Sequence, residues 1–420
     1  MNKNIIAFIP RGTGSGHNMR TYSIAKKYFE LFPKDEGICF LESLKSTFEP
    51  MFKDAGIKVI DVNKNESKDL DYSDRSVLSN VLNWDNVITK FLGPSMFNSE
   101  KVFLLLKYFE KYKNISTVVT DLDLSAIVAG SIARKKIVLI TERYGSTISL
   151  ISSDKLKNAG FSFEENEMNG IQKTMKELFD WCLDLTDLII TDCPYNELQD
   201  DKTYFKKLLD NGKAKFVGPI IRDKKIFSPK IKRKIFSSLN IPFNSILITA
   251  SIGGTSMFVE DKKKMQNFYL EVFDELHKWN SNIKMLLLSR DNSLKVPDGV
   301  ISLKYLPNWY SLLQSSDLVL AHPGWITVTE LSALQIPAIF CLSSPKEYHE
   351  WDEFIRLQDF GFITNFELDK NKLVSDSKKV LTSEKTKQKL FRSAYKKVAP
   401  TVNGSRVTAK LIHNISIERR

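Results

Sequence analysis

The chain has 420 residues, of which 42% are hydrophobic and 26% are charged, and 61 basic against 50 acidic residues give a net charge of +11. This composition excludes a disordered chain, a coiled coil and a collagen-like repeat, and no apolar run reaches the roughly 20 residues of a membrane helix. The length predicts two or three domains. The positive charge favours anionic partners, such as phosphates, an anionic membrane surface or nucleic acid, without selecting among them.

The first half of the chain alternates strand-like and helix-like segments. Helical periodicity is found at residues 18–31, 101–112 and 171–185. Alternating strands and helices predict a parallel sheet covered by helices on both faces. Short apolar runs predict the strands of that sheet, at residues 5–9, 37–41, 57–62, 117–120, 137–141, 188–191 and 215–219.

The alternation restarts after a basic segment, predicted as an interdomain linker over residues 220–240. A helix is predicted at 260–279, and a helix-rich stretch at 383–415. The strands predicted in this half are 245–250, 284–288, 300–303, 318–321 and 338–342.

The fold class predicted from this pattern is α/β, with two doubly wound, Rossmann-like domains facing each other across a cleft. The domains are residues 1–219 and 241–395, and a C-terminal helical segment, 396–420, is expected to pack back on the first domain. In such sheets, ligands bind beyond the carboxyl ends of the strands.

Cysteine and histidine usage gives no sign of a metal centre. Cys39, Cys182, Cys193 and Cys341 form no C-x-x-C pair, and the histidines lack H-E-x-x-H spacing. We therefore expect buried free thiols and no metal site. Because the N-terminus has no signal-peptide pattern, we expect a cytoplasmic protein, with a charge that suits peripheral contact with an anionic membrane.

A glycine-rich segment follows the first predicted strand. Its residues Gly12, Thr13, Gly14, Ser15 and Gly16 suit an acceptor or phosphate loop, because glycines let the backbone approach a ligand closely. His17 then falls in the first helical turn, facing a ligand or bonded to the backbone. Glu42, after the next strand, is the candidate acidic residue of a nucleotide fingerprint.

Two further motifs follow strands of the second half. Residues 249–256 offer hydroxyls and backbone N–H groups that suit a diphosphate, or form a plain strand-to-helix turn. Residues 317–330 bring His322 and Gly324 to a strand end, with a helix starting near Thr327. There Thr327 and Glu330 form a predicted capping box, although the Glu330 carboxylate also suits ribose hydroxyls. A polar loop over 343–352 follows, with Glu347, His349, Glu350 and Asp352 as candidate sugar contacts.

The pattern His322-x-Gly324-x-x-Thr327-x-x-Glu330, followed by the Pro337 strand, resembles the donor-binding domain of nucleotide-sugar glycosyltransferases with the GT-B fold. It looks closest to glycosyltransferase family 28, which includes the peptidoglycan N-acetylglucosaminyltransferase. Residues 12–17 resemble that group's N-terminal glycine loop. Residues 16–20, Gly-His-Asn-Met-Arg, also resemble the nucleotide-sugar hydrolases of nonulosonic acid biosynthesis.

The resemblance implies that Glu330 holds the ribose, that the backbone at 305–307 binds uracil, and that Asp352 touches the donor sugar. The polar loop lacks the family's Asp-Gln or Gln-Gln pair, so the sugar is not assigned, and residues 63–101, where acceptor loops would fall, match no known pattern. The donor site implied comprises Ser251, Gly253, Gly254, Thr255, Tyr305, Leu306, His322, Gly324, Trp325, Ile326, Thr327, Glu330 and Asp352.

The function expected is inverting, metal-independent sugar transfer from a UDP-sugar to a lipid-linked, small-molecule or macromolecular acceptor, with no further cofactor. His17 would be the general base, because imidazole ordinarily titrates near neutral pH. Asp121 or Asp123 would orient it, or would cap the next helix. Two alternatives stay open. One is a hydrolase in which His17 activates water; the segment 63–101, long enough to build an acceptor site, favours a transferase instead. The other is a basic nucleic-acid-binding or DNA-glycosylating protein, which no recognised binding motif supports.

Overall fold

The computed structural model describes residues 4–12, 15–42, 45–62, 81–88, 96–200, 203–223, 227–252, 259–289, 295–304, 309–344 and 348–418. They form two compact units. The first contains the described residues up to Arg222 and those after Pro400, and the second contains those from Asp223 to Pro400. Within these ranges, no helix has the length and apolar character that crossing a bilayer requires.

The first unit is built on a seven-stranded parallel sheet with strand order β3-β2-β1-β4-β5-β6-β7. The chain order reverses between β1 and β4, where Pro10 and Asp121 are register partners, so the ligand-binding switch point of a doubly wound sheet lies at these two residues. The strands are β1 (Ile5–Pro10), β2 (Glu36–Leu41), β3 (Lys58–Asp61), β4 (Ile115–Asp121), β5 (Lys136–Thr141), β6 (Leu188–Thr191) and β7 (Ala214–Phe216).

Helices cover this sheet, and polar residues start several of them. Asn98, for example, accepts hydrogen bonds from the backbone N–H groups of Glu100 and Lys101. The helices are α1 (Ser15–Leu31), α2 (Lys45–Asp54), α3 (Trp84–Asn86), α4 (Ser99–Lys111), α5 (Leu124–Ile132), α6 (Thr147–Leu150), α7 (Ser153–Asn158), α8 (Glu165–Leu185), α9 (Glu197–Asp200) and α10 (Tyr204–Asp210).

The second unit contains a six-stranded parallel sheet with strand order β10-β9-β8-β11-β12-β13. Its chain order reverses between β8 and β11, where Ser251 and Ala321 are register partners. The prediction of two doubly wound parallel sheets is confirmed. The strands are β8 (Ile246–Ser251), β9 (Ile283–Ser289), β10 (Val300–Lys304), β11 (Leu318–Ala321), β12 (Ala338–Leu342) and β13 (Thr364–Phe366).

The segment predicted as a linker contains the first helix of this unit. Ser228 accepts a hydrogen bond from the Ile231 N–H, Pro229 occupies the first turn, and Phe236 is buried. The helices of the second unit are α11 (Pro229–Ser238), α12 (Val259–Trp279), α13 (Tyr310–Ser315), α14 (Trp325–Leu334), α15 (Tyr348–Phe360), α16 (Lys370–Thr382), α17 (Glu384–Leu390), a π-helical turn (Phe391–Tyr395) and α18 (Lys396–Val398).

The last helix, α19 (Gly404–Ile417), packs on the first unit. Its residues Ala409 and Ile412 share an apolar cluster with Ile24 and Tyr28 of α1. Gly404 lies so close to the Pro219 carbonyl that an added Cβ would come within 2.3 Å of that oxygen. Glycine is therefore required where α19 begins.

Candidate functional site

His17 lies in the first turn of α1, beyond the end of β1 at the switch point of the first sheet. Its Nδ1 is 2.8 Å from Oδ1 of Asp121, the last residue of β4. The Asp121 side chain is fully buried, whereas that of His17 is 14% exposed, so the histidine is the member of the pair that solvent reaches. A carboxylate on Nδ1 favours the neutral tautomer with the proton on Nδ1, which leaves Nε2 as the basic nitrogen.

Arg20, one turn further along α1, joins His17 to three carboxylates. Its Nε donates to Oδ2 of Asp121 at 2.7 Å and its Nη2 to Oδ1 at 2.6 Å, while Nη2 also contacts Glu142 and Nη1 donates to Asp192 at 3.2 Å. The carboxylates follow or end the adjacent strands β4, β5 and β6. We call His17, Arg20, Asp121, Glu142 and Asp192 the His17 cluster.

The charges of the His17 cluster are set by Arg20. Burial opposes the Arg20 charge, but the carboxylates outweigh burial and raise the pKa of Arg20. Burial likewise opposes ionisation of Glu142, yet Arg20, His17 and Arg143 lower the pKa of that carboxyl well below its ordinary range. Asp192 behaves oppositely, because burial, which Arg20 only partly offsets, raises its pKa to about 7. The cluster therefore combines a permanent cation with one carboxyl poised near neutrality.

Asp123, the other candidate partner of His17, is engaged in a second cluster. Its carboxylate caps α5 by accepting from the Ala126 N–H at 3.0 Å, and it also contacts the buried Lys101 Nζ. Lys101 contacts Glu42 as well, and a Cβ added to Gly12 would lie 2.3 Å from the Glu42 carboxylate. Lys101, Glu42 and Asp123 thus support the start of the glycine-rich segment, and the structure brings Asp121 to His17.

The glycine-rich segment is only partly described. Ser15 and Gly16 are the first two residues of α1, so the helix begins three residues before the position predicted from periodicity. Thr13 and Gly14 lie outside the described residues. The predictions for them stay predictions.

In the second unit, those residues predicted to bind a diphosphate that the structure describes lie where β8 and β11 end. The His322 N–H donates to the Ser251 carbonyl at 3.3 Å, and both residues are buried. Gly324 is the N-cap of α14, and the first backbone bond back to it comes from the Thr327 N–H at 2.9 Å. The amides of Trp325 and Ile326 precede that bond, at the helix end that attracts anions.

The predicted capping box is wrong. Because Gly324 already has the non-helical backbone of an N-cap, α14 starts at Trp325, which puts Thr327 third and Glu330 sixth in the helix. Gly324 itself has no side chain with which to cap this N-terminus. Glu330 is therefore not a capping residue, and its burial needs another explanation.

Glu330 is 2% exposed, and its Oε2 accepts a hydrogen bond from the Trp309 indole Nε1 at 3.3 Å. Trp309 comes two residues after the segment predicted to bind uracil, 305–307, and that segment lies outside the described residues. Asp352 is half-buried and lies in α15, because the predicted polar loop is helical from Tyr348 onward. The remaining predicted donor residues, Gly253, Gly254, Thr255, Tyr305 and Leu306, lie outside the described residues.

One group of side chains in the described ranges could offer ligand atoms to a metal ion. His17, Asp121 and Glu142 each present one ligand atom, all within 4.8 Å of one another. Arg20, however, donates hydrogen bonds to both carboxylates, so a divalent cation there would lie against a buried guanidinium. This arrangement favours proton transfer at His17 over metal binding.

Residues 260–397 match the model of the glycosyltransferase family 28 C-terminal domain. The matched range lies within the second unit. The predicted closeness to family 28 is confirmed, and by this domain the chain is a glycosyltransferase, as the sequence predicted. No curated protein matches the chain in sequence.

Solved structures similar to the chain share its fold at low sequence identity. The glycotransferase of kitacinnamycin has a TM-score of 0.62 at 11% identity, covering 99% of this chain and 100% of its own. UGT71G1 of Medicago truncatula, solved with UDP-glucose, has a TM-score of 0.61 at 14% identity, covering 99% and 98%. A Listeria monocytogenes protein, provisionally assigned as a UDP-N-acetylglucosamine 2-epimerase, has a TM-score of 0.60 at 12% identity, covering 98% of this chain and 95% of its own.

These similarities confirm the predicted GT-B fold for nearly the whole chain. At 11–14% identity they speak for the fold alone, and one of the three proteins is named for a reaction other than glycosyl transfer. The family 28 domain and the fold together support sugar transfer from a nucleotide-sugar.

Proposed function

We propose that the protein transfers a sugar from a UDP-sugar to an acceptor hydroxyl with inversion and without a metal. The observation that carries this proposal is the contact between His17 Nδ1 and the buried Asp121. Nε2 of His17 removes the hydroxyl proton, the acceptor oxygen forms a bond to the anomeric carbon from the opposite face, and the bond to the diphosphate oxygen breaks. Asp121 stabilises the imidazolium that results, and UDP leaves with the negative charge.

The donor half of the reaction is assigned to the second unit. Glu330 accepts hydrogen bonds from the ribose hydroxyls, which its fixed position beside Trp309 supports. The N-terminus of α14 meets the diphosphate with the amides of Trp325 and Ile326, and its helix dipole stabilises the charge that develops on the leaving group. This electrostatic assistance replaces the divalent cation that other phosphate-leaving reactions use.

A second candidate, hydrolysis of a nucleotide-sugar, is favoured by one specific observation. Arg20 belongs to the motif that resembles nucleotide-sugar hydrolases, and it lies at the centre of the His17 cluster. In that reaction the proton removed by His17 comes from water, and water forms the new bond to the anomeric carbon. Donor recognition is unchanged.

A panel of UDP-sugars, incubated with the purified chain in EDTA, tests these proposals. We expect one donor to give a new glycoside when cell extract supplies acceptors, with slow sugar release in its absence. Mass spectrometry identifies the product, and NMR of its anomeric proton determines the stereochemistry. Fast release without extract would favour the hydrolase, and activity lost in EDTA but restored by Mg²⁺ or Mn²⁺ would contradict metal independence.

A further inference from the structure

Arg11, the residue after β1, has a guanidinium that makes no direct ion pair within the described part of the chain. Its backbone N–H donates to the Asp121 carbonyl at 3.0 Å, which fixes the residue at the switch point. The side chain is half-buried, and its Nε is fully enclosed with no hydrogen-bond partner in the described part of the chain. Enclosing part of a cation without a partner is unfavourable. This is a cost that a bound anion would offset.

The nearby carboxylates are committed to other cations. Asp121 contacts His17 and Arg20 with its two oxygens. Glu142 contacts Arg20 through Oε2, and its Oε1 lies 3.5 Å from the Arg143 Nε. The described residues therefore place negative charge around Arg20 and leave Arg11 without a direct ion pair.

A second arginine lies on the same edge of the sheet. Arg143 comes two residues after β5, its Nη1 donates to the Thr147 hydroxyl at 2.7 Å, and its side chain is 17% exposed. Burial and the positive charge of Arg143 lower the pKa of Arg11 to about 10, as expected for neighbouring cations. Glu142 links Arg143 to the His17 cluster, so the two arginines lie close to the proposed base.

We propose that Arg11 and Arg143 bind an oxyanion of the acceptor, a carboxylate or a phosphate, beside His17. This inference rests on the proposed function, in which His17 deprotonates the acceptor. Guanidinium groups bind carboxylates and phosphates through paired, charge-assisted hydrogen bonds, which orient a ligand as well as attract it. The acceptor class is therefore anionic: a sugar phosphate, a phosphorylated lipid head or a sugar acid.

Anion binding to the full chain tests the site without knowledge of the acceptor. The chain is first saturated with UDP, so that the nucleotide site is filled, and inorganic phosphate and acetate are then titrated separately by calorimetry at constant ionic strength. We expect one bound anion, with affinity lowered at least tenfold, a loss typical of a charged hydrogen-bond partner, in Arg11→Gln and in Arg143→Gln. Arg11→Lys should be intermediate. The relative affinities of the two anions distinguish a phosphate from a carboxylate.

Arg406→Gln is the matched control, because it removes one positive charge from the exposed surface of α19 in the same unit. Its anion affinity should equal that of the unmodified chain. Arg11→Gln should also melt at the same or a higher temperature, because it removes an enclosed cation that lacks a direct partner.

Equal anion affinity in Arg11→Gln and the unmodified chain would overturn the proposal, as would the absence of any bound anion. A strongly lowered melting temperature in Arg11→Gln would also overturn it, since Arg11 would then be a structural residue. UDP affinity and the UDP-sugar assay report separately on the proposed function. An intact anion site with no sugar transfer would therefore refute that function and not the site.

Discussion

The two units place different groups at the same point in the same kind of sheet. At the switch point of the first sheet, one buried guanidinium holds three carboxylates, and one of these, Asp121, holds a histidine, all through charged side-chain hydrogen bonds. At the switch point of the second sheet, the described contacts are mainly backbone ones, with the N-terminus of α14 and a single indole bond to Glu330. A site that moves a proton needs a network that fixes protonation states, whereas a site that holds a diphosphate needs available amides.

This contrast predicts different consequences of substitution. Breaking the His17 cluster leaves buried charges without partners, so it should lower folding stability as well as turnover. Changing Glu330 to glutamine should weaken ligand binding and leave the fold intact, because glutamine keeps the size of the side chain and can still accept the hydrogen bond from the Trp309 indole. Three substitutions test the contrast, in order of expected effect.

Arg20→Met should lower the free energy of unfolding by about 3–5 kcal/mol, since it leaves three buried carboxylates without their common cation. Chemical denaturation monitored by circular dichroism measures this loss. Lys27→Met, on the same helix, removes a more exposed lysine that pairs with Glu30 at 2.6 Å and should cost less than about 1 kcal/mol. Equal, small losses in the two variants would show that the His17 cluster does not depend on Arg20.

Asp192→Asn should change how stability depends on pH. The folded pKa of about 7 lies above the roughly 3.9 of an unfolded aspartate, so between about pH 4 and 7 the folded state keeps a proton that the unfolded state has lost. The contribution of Asp192 to stability therefore falls as pH rises through that window. Asparagine cannot ionise, so it should not show this fall.

Relative to the unmodified chain, Asp192→Asn should gain about 2–3 kcal/mol of unfolding free energy between pH 5 and pH 8, at about 1.4 kcal/mol per pKa unit. Denaturation at a series of pH values measures the gain. The control is Asp180→Asn on α8, whose carboxylate pairs with Lys176 at the surface and should give a flat difference. A flat difference for Asp192→Asn as well would mean that Asp192 is ionised throughout.

Glu330→Gln should weaken UDP binding by about 1–3 kcal/mol, roughly 5- to 150-fold, because the ribose hydroxyls lose a charged acceptor. Its melting temperature should stay close to that of the unmodified chain. Calorimetry with UDP measures the affinity, and Glu271→Gln, on the surface of α12, is the control for charge. Unchanged UDP affinity in a folded Glu330→Gln would remove Glu330 from the donor site.

The sequence predicted those features that depend on local pattern. Strands buried on both faces appear as continuous apolar runs, so the predictions at 318–321 and 338–342 coincide with β11 and β12. The proximity of His17 and Asp121 was also predictable, because His17 follows β1 and Asp121 ends β4, and the carboxyl ends of parallel strands meet on one side of the sheet. The choice of Asp121 over Asp123 needed side-chain directions that the sequence does not contain.

Features that depend on tertiary contacts escaped prediction. Arg20 is recognisable in the sequence only as part of the motif at 16–20. Its role requires the neighbouring order of β4, β5 and β6, which brings Glu142 and Asp192 to it. The helix α11 was not predicted, because its sequence is rich in lysine and only Phe236 is buried, which leaves no apolar periodicity. Strand β13 has three residues, too few for a periodic pattern. The helix α14 begins at Trp325 and not near Thr327, because the N-cap is Gly324 with its non-helical backbone.

The most direct test of the central claim is a comparison of turnover and donor affinity in His17→Ala. We expect kcat to fall by ~10²–10⁴-fold, as for the loss of a general base, and the Kd for UDP to stay unchanged, because the proposed UDP contacts, Glu330 and the start of α14, lie in the second unit. Glu330→Gln should instead raise the Kd for UDP and change kcat little. Turnover of His17→Ala within roughly threefold of the unmodified chain, far below the range for a general base, would contradict the assignment of His17.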